Sequence, residues 1–155
     1  MAFTRIYKGK KRMARVSTYL NFPGNTEQAF IFYQSLFGGE FLSPPLRFKD
    51  MPPQAGQPPM DAAVGNMIMH IELAIIGGHV IMATDAPASM GFTLKYGNNM
   101  CINLELDTRA EMRGLFQKLS ENGHVEMQLS DMFWGAYFGI VVDQFGVRWM
   151  LNCEK

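Results

Sequence analysis

Residues 100–123 have the sequence MCINLELDTRAEMRGLFQKLSENG, in which two periodicities follow one another. Apolar residues alternate from Met100 to Leu106, which predicts a strand. Thr108 and Glu111 have the spacing of a capping box at a helix start. Four apolar residues then recur at helical spacing: Met112, Leu115, Phe116 and Leu119. The stretch therefore predicts a strand followed by an amphipathic helix that ends at the closing glycine.

The same order occurs earlier, in residues 16–39, VSTYLNFPGNTEQAFIFYQSLFGG. Val16–Phe22 suits a strand, Asn25 and Gln28 repeat the capping-box spacing, and Gly38-Gly39 ends the helix. Three further strands are predicted after each helix, at 40–42, 67–76 and 79–84, and at 125–129, 134–142 and 147–153. Two tandem βαβββ modules, over 15–86 and 98–155, predict an α+β fold.

Length and composition bound the class of protein. With 155 residues, 48% apolar and 18% charged, the chain suits one domain or two small modules with a shared core. The sequence contains no run of eighteen apolar residues, so no membrane-spanning helix is predicted. The two cysteines, Cys101 and Cys153, form no CxxC pair, which disfavours a zinc knuckle or a disulfide framework. We therefore expect a cytoplasmic protein.

The charges are distributed unevenly. Residues 1–15 hold six basic residues and no acidic one, so the remaining chain holds eight basic residues against 14 acidic ones. We expect residues 1–14 to be a basic arm, either disordered or additional sequence before a natural start at Met13. Such an arm can bind nucleic acid or an anionic membrane, or it can be a solvated tail. Because the body is acidic, neither nucleic acid nor a membrane is the expected partner.

Residues 43–65 interrupt the first module. They contain six of the eight prolines and show no periodicity. A segment of this kind is either a mobile surface loop or a lid over a functional site, and the sequence leaves both interpretations open.

Three stretches carry a resemblance to a known family: STYLNFPGNTEQAFIFYQSLFGGEF at 17–41, GFTL at 91–94 and, most specifically, MFWGAYFGIVVDQFGVRWMLN at 132–152. The sequence resembles the PhnB-like branch of the vicinal-oxygen-chelate superfamily, which includes glyoxalase I, bleomycin-resistance proteins and extradiol dioxygenases. The resemblance implies modules whose mixed sheet curls into a cup with helices on the outer face. It also implies a homodimer.

Metal-dependent members of the superfamily place His, Gln or Glu ligands at positions that fall near Ser17, Cys101 and Met150. Hydroxyl and thioether groups are poor ligands for hard or borderline divalent ions, so we expect no metal ligand and no cofactor, although a divalent metal at a shifted site stays open. Some relatives are named after demethylubiquinone methyltransferase. We expect no such activity, because no glycine-rich strand-to-helix loop typical of a nucleotide-like methyl donor site is present.

His70 and Glu72 form the best chemical pair in the chain. At i and i+2 on a predicted strand they share a face, about 6–7 Å apart at the backbone. A carboxylate at this spacing suits a histidine to acid–base work, which makes them the candidate catalytic residues. The alternative is a structural pair or two solvated side chains.

Other polar strand faces, together with the aromatic cluster near residue 134, provide candidate ligand-binding residues. These are Tyr19, Asn21, Asn103, Glu105, Trp134, Tyr137, Arg148 and Met150. The polar faces could line a cup or be the wet side of an open sheet, and the aromatic residues could stack on a ligand or pack in the core or a dimer interface.

Two functions follow as alternatives. The first is a homodimer that binds a small apolar or aromatic metabolite or toxin in a metal-free cup. The second is a lyase, isomerase or transferase of the same superfamily that uses His70 and Glu72, as an acid–base pair or within a shifted metal site.

Overall fold

The structure of the protein is a computed structural model that describes residues 14–52, 55–56 and 59–154. The basic arm predicted over residues 1–14, apart from Ala14, and the start predicted at Met13 lie outside the described residues.

Strands and helices follow the predicted order in both halves of the chain. The first module comprises β1 (Thr18–Phe22), α1 (Thr26–Phe37), β2 (Glu40–Phe41), β3 (Leu46–Arg47), α2 (Ala62–Asn66), β4 (Ile68–Ala74) and β5 (Val80–Asp85). The second module comprises β6 (Ile102–Glu105), α3 (Arg109–Ser120), β7 (His124–Asp131), β8 (Tyr137–Val142) and β9 (Arg148–Cys153). The predicted α+β class and its tandem repeat are confirmed.

Each module builds one mixed sheet. In the first sheet the strand order is β1-β5-β4-β2, and β3 pairs with β4. In the second sheet the order is β6-β9-β8-β7. The first strand of each module runs parallel to the last strand of that module, while the other pairs are antiparallel. As a result, β1 and β6 are edge strands of their sheets.

A single hydrophobic core joins the modules. Helix α1 packs on β4 and β5 of its own sheet and also contributes to the second module, where its Tyr33 and Phe37 contact the fully buried Trp149 with ring centroids 5.5 and 5.4 Å away. Phe22 at the end of β1 meets Phe145 edge-on at 6.4 Å. Because large aromatic residues of each module bury those of the other, the two repeats form one packed unit.

The proline-rich segment contains more regular structure than the sequence predicts. It includes β3, a 3-10 turn at Phe48–Asp50, and α2, which Asp61 caps by accepting a hydrogen bond from the backbone of Ala63 at 2.8 Å. Arg47 holds the segment on α1 through a 2.6 Å ion pair with Glu27. The ion pair spans 20 positions, so no local periodicity reveals it, whereas the Asp61 cap is local and was not predicted. Whether the segment acts as a lid stays a prediction.

The hairpin between β4 and β5 closes at Gly77 and Gly78, as predicted. Their φ angles are 67° and 74°, in the left-handed region that favours glycine. The turn matters for the site because it sets the pairing of β4 with β5.

None of the helices within the described ranges is both long enough and apolar enough to span a membrane.

Candidate functional site

A polar cluster lies on the face of the first sheet opposite α1. The register of β1, β5 and β4 places Tyr19, Met82 and Glu72 in one row across the sheet. His70 is two positions before Glu72 on β4 and therefore shares its face. Its Nε2 lies 2.9 Å from Glu72 Oε1, so the structure places the predicted pair within hydrogen-bond distance.

Glu72 is buried despite its charge. Only 1% of its surface is exposed, and its second carboxylate oxygen accepts a 2.9 Å hydrogen bond from Arg15 Nη2. Burial of a carboxylate is tolerated where both oxygens have partners. Arg15 was not among the candidate residues, because it belongs to a run of basic residues that precedes the first strand.

Both ring nitrogens of His70 have neighbours. Nε2 faces Glu72, and Nδ1 lies 3.4 Å from the Tyr19 hydroxyl, whose ring stacks on the imidazole at a centroid distance of 5.9 Å. A ligand that reaches Nδ1 must therefore displace the Tyr19 hydroxyl or bind to it.

Tyr19 is a hydrogen-bond donor at neutral pH. Partial burial, and to a lesser degree the negative charge of Glu72, raise the pKa of Tyr19, although a hydrogen bond involving Thr84 opposes the shift. The phenol therefore stays protonated and can donate to a ligand.

The second sheet presents its own polar face. Asn103 donates to Glu105 at 3.3 Å on β6, and Arg148 on β9 donates from Nε to Glu126 at 2.7 Å. The β6–β9 register sets Asn103 beside Met150. Four of the candidate ligand residues, Asn103, Glu105, Arg148 and Met150, thus share one face of the second sheet.

Trp134 adjoins the polar face of the second sheet through Phe138, whereas Tyr137 faces the other side. Trp134 is in the β7–β8 turn, exposed, with its ring edge-on to Phe138 at 6.1 Å. Tyr137 pairs with the buried Cys153 on the helix-facing side, and the Arg109 guanidinium lies 4.6 Å above its ring. Their proposed role as ligand contacts stays a prediction.

The positions that correspond to metal ligands in metal-dependent relatives hold sulfur and hydroxyl groups. Ser17 Oγ lies 3.7 Å from Met82 Sδ, and Cys101 Sγ lies 2.8 Å from Met150 Sδ. Residues 14–52, 55–56 and 59–154 contain no group of three or more His, Cys, Asp or Glu side chains placed to hold a metal ion. This donor set does not fit the hard or borderline divalent ions of those relatives.

A cavity of about 240 Å³ lies between the two modules. Its wall combines β1, the β8–β9 turn and the segment before β6. It includes the predicted residues Tyr19, Asn21 and Arg148. It is the place where the structure brings candidate residues of both modules together.

Sequence reasoning missed Lys95, Tyr96 and Phe145 as cavity residues. The first two follow the GFTL stretch in the connection between the modules, where neither periodicity nor a motif marks a site. Only the packing of that connection against the β8–β9 turn brings them to the cavity.

Comparison with known proteins places the chain in a family. The family model described as 3-demethylubiquinone-9 3-methyltransferase matches residues 14–152. Protein YjdN from Escherichia coli (strain K12) is 32% identical over 149 residues, which cover 90% of this chain and 95% of YjdN.

Several solved structures are similar to this chain over most of its length. Protein PA1353 from Pseudomonas aeruginosa is 35% identical with a TM-score of 0.76, covering 92% of this chain and 98% of PA1353. A putative 3-demethylubiquinone-9 3-methyltransferase, PhnB protein, from Bacillus cereus is 26% identical with a TM-score of 0.70, covering 90% and 99%. At 15% identity and a TM-score of 0.59, a glyoxalase/bleomycin resistance protein/dioxygenase family enzyme from Burkholderia phytofirmans PsJN shares the fold; the match covers 89% and 98%. The chain therefore belongs to the PhnB-like family that the 3-demethylubiquinone-9 3-methyltransferase model describes, and it has the fold of a glyoxalase/bleomycin resistance protein/dioxygenase family enzyme.

Proposed function

We propose that this protein binds a small, largely apolar or aromatic molecule in the cavity between its modules. The observation that carries the proposal is the cavity itself, about 240 Å³, whose wall is formed by β1, the β8–β9 turn and residues 95–97 and 100–102. Tyr19, Tyr96 and Phe145 give it aromatic surface, and Asn21 and Arg148 add polar groups.

This composition is that of a small-molecule site. Apolar surface in a preformed concavity supplies affinity, and a few polar groups orient the ligand. No bound metal is needed for such binding, so the proposed site uses only the side chains of the chain itself.

The test is a titration with 2-naphthamide, an uncharged aromatic probe. Saturation-transfer NMR and calorimetry measure the binding. A fragment of this size in a formed pocket is expected to bind with a Kd of about 0.1–1 mM. Asn21 is exposed on the cavity wall, so the larger side chain of Asn21→Phe should fill the cavity and weaken binding about tenfold.

The matched control is Gln117→Phe, which adds the same ring to an exposed position on α3 and should leave the Kd unchanged. The proposal fails if the probe shows no binding to the parent protein at millimolar concentration. It also fails if Asn21→Phe and the control bind it equally.

A second candidate function is acid–base catalysis of the lyase, isomerase or transferase type. The 2.9 Å contact between His70 and Glu72, with the Tyr19 hydroxyl beside the other ring nitrogen, favours it. With Nε2 paired to Glu72, these groups could hold and move a proton at His70 Nδ1 or at the Tyr19 oxygen.

Two measurements separate the candidates. Elemental analysis and thermal unfolding with Ni²⁺, Zn²⁺, Mn²⁺ and Fe²⁺ report a metal at a shifted site; one ion per chain, lost in His70→Gln, would favour a metal-assisted enzyme. Turnover of the methylglyoxal–glutathione hemithioacetal, lost in the same variant, would favour catalysis. A binding protein shows neither effect, and His70→Gln changes the 2-naphthamide Kd little.

We further propose a cytoplasmic homodimer whose partners are small molecules rather than nucleic acid or membranes. The exposed aromatic residues of the β7–β8 turn support the dimer: Phe133 is 98% exposed and lies edge-on to Trp134. Sedimentation equilibrium should give the mass of two chains, and Phe133→Ser should shift the equilibrium toward one.

The matching family model is named after a methyltransferase, but we do not propose methyl transfer for this protein. The loop between β1 and α1 contains Pro23, Gly24 and Asn25 rather than the glycine-rich sequence typical of methyl-donor sites. We expect S-adenosylmethionine to leave the thermal unfolding temperature unchanged.

A further inference from the structure

The ionisable groups on the wall of the cavity between the modules are unbalanced in charge. Lys95 and Arg148 are basic, and the wall has no aspartate or glutamate among the residues that the structure describes. Arg148 donates from Nε to Glu126, which lies off the wall. Its remaining N–H groups can still serve a ligand, since a guanidinium carries five donors.

The positive charge of Lys95 is less neutralised by neighbouring groups than that of Arg148. Within the described ranges it has neither an ion pair nor a side-chain hydrogen bond, and it is exposed. An ammonium beside an apolar wall attracts an anion more strongly than one in open water, because the neighbouring protein lowers the local dielectric constant.

Tyr96 and Gly146 hold this part of the wall together. A Cβ atom on Gly146 would lie 2.6 and 2.8 Å from two ring carbons of Tyr96, so only glycine allows the ring to pack so closely on the β8–β9 turn. Gly146 also has a φ of 84°, which favours glycine. The packed ring anchors the connection between the modules and with it the neighbouring Lys95.

The rest of the wall suits a flat apolar body. Tyr19 and Phe145 contribute aromatic surface, and Ile102 and Val147 contribute aliphatic surface. A ligand that satisfies the whole wall therefore combines an aromatic or apolar body with a negative group.

We infer that the ligand is an aromatic or apolar carboxylate, or a comparable small organic anion, whose negative group is bound by Lys95 and Arg148. The inference rests on the proposed binding function and adds the charge of the ligand. Lys95 lies in the connection between the modules and Arg148 on β9 of the second module, so the anion site forms only where that connection packs on the β8–β9 turn.

The experiment compares two probes of nearly equal shape and different charge, 2-naphthoate and 2-naphthamide, by calorimetry on the full chain. The parent protein should bind 2-naphthoate about three- to tenfold more tightly. Lys95→Gln should weaken 2-naphthoate about two- to fivefold and leave 2-naphthamide unchanged, because it removes charge and little apolar contact. Raising the salt concentration from about 0.02 to about 0.5 M should reduce the preference for the anion.

Lys118→Gln, the same change at an exposed position on α3, is the control and should keep the preference for 2-naphthoate. Equal affinity of the parent protein for both probes overturns the inference while the cavity stays a binding site. A preference that is undiminished in Lys95→Gln, or that falls equally in Lys118→Gln, overturns it as well. Failure of both probes to bind overturns the proposed function together with the inference.

Discussion

At the scale of single residues, Asp143 links the two modules. Its Oδ2 accepts hydrogen bonds from the Tyr33 hydroxyl at 2.7 Å and from Trp149 Nε1 at 2.8 Å. Its Oδ1 accepts from the backbone N–H groups of Phe145 and Val147. A buried carboxylate with four donors is stable only where all four are in place, so Asp143 makes the position of α1 depend on the β8–β9 turn.

Burial of the ionised Asp143 carboxylate lowers the stability of the fold. Burial raises the pKa of Asp143, and the hydrogen bonds from Trp149 and Tyr33 partly oppose the rise. Because the folded pKa lies above the unfolded value, this group makes the fold less stable at neutral pH than at acid pH. The stability that protonation of Asp143 contributes develops as pH falls through the folded pKa toward the unfolded one.

The first prediction concerns Tyr33→Phe, which deletes one donor to the carboxylate. The variant should lose about 1.5–3 kcal/mol of unfolding free energy at pH 7, because a buried charge loses a hydrogen bond. It should also raise the pKa of Asp143 further, so the loss should shrink as the pH is lowered through that pKa. Urea unfolding at pH 7 and at acid pH measures both effects.

Tyr137→Phe is the matched control, since no hydrogen bond from the Tyr137 hydroxyl occurs within the described part of the chain. It should change the unfolding free energy by less than about 0.5 kcal/mol. A pH-independent loss in Tyr33→Phe would show that the hydroxyl does not act through Asp143.

At the scale of secondary structure, the starts of the two long helices differ although their sequences predict the same cap. Thr108 caps α3 by accepting a 3.2 Å hydrogen bond from the backbone of Glu111, as predicted. Asn25 makes no side-chain cap at α1, and its Oδ1 is buried with no partner among the described atoms. The predicted capping box at Asn25 is therefore wrong.

A tertiary contact stabilises this end of α1. Asp85, at the end of β5, accepts hydrogen bonds from the Thr26 backbone at 3.0 Å and its hydroxyl at 2.6 Å, and from Ile68 N at 2.7 Å. The carboxylate accepts from the amide of Thr26, the first helical residue, which an N-cap side chain does not serve, and its charge suits the helix N-terminus.

The second prediction follows from this difference. Thr108→Ala should lower the unfolding free energy by about 1 kcal/mol, the usual cost of a lost N-cap. Asn25→Ala should cost less than half as much, because it removes no cap hydrogen bond. Equilibrium denaturation of both variants gives the comparison, and equal losses would contradict it.

At the scale of the whole molecule, the modules share one core and should unfold together. Phe22 lies in the first module and contacts Phe145 in the second. The third prediction is that Phe22→Ala lowers stability by about 3–5 kcal/mol and shifts a single transition rather than splitting it in two.

Tryptophan fluorescence and far-UV circular dichroism test this cooperativity. In the Trp134→Phe background the remaining Trp149 is fully buried at the contact between α1 and β9, so its signal reports on that contact. The two signals should change at the same urea concentration with or without Phe22→Ala. Phe92→Ala, at a half-exposed position, should change stability little.

The sequence by itself determined the elements of this protein. Alternation, helical spacing and turn glycines act between residues a few positions apart, so the βαβββ repeat, the Gly77-Gly78 turn and the cap at Thr108 were all predictable. The shared face of His70 and Glu72 was predictable for the same reason, since they are two positions apart on one strand.

Only the tertiary structure decided which residues of different elements come into contact. Arg15 reaches Glu72 across 57 positions, and Tyr33 reaches Asp143 across 110. Tyr96 packs on Gly146, which brings Lys95 to the cavity from a connection without a local pattern. Such contacts arise from strand pairing within a module or from the packing of one module on the other. Both depend on the shape of a whole core rather than on any short period in the chain.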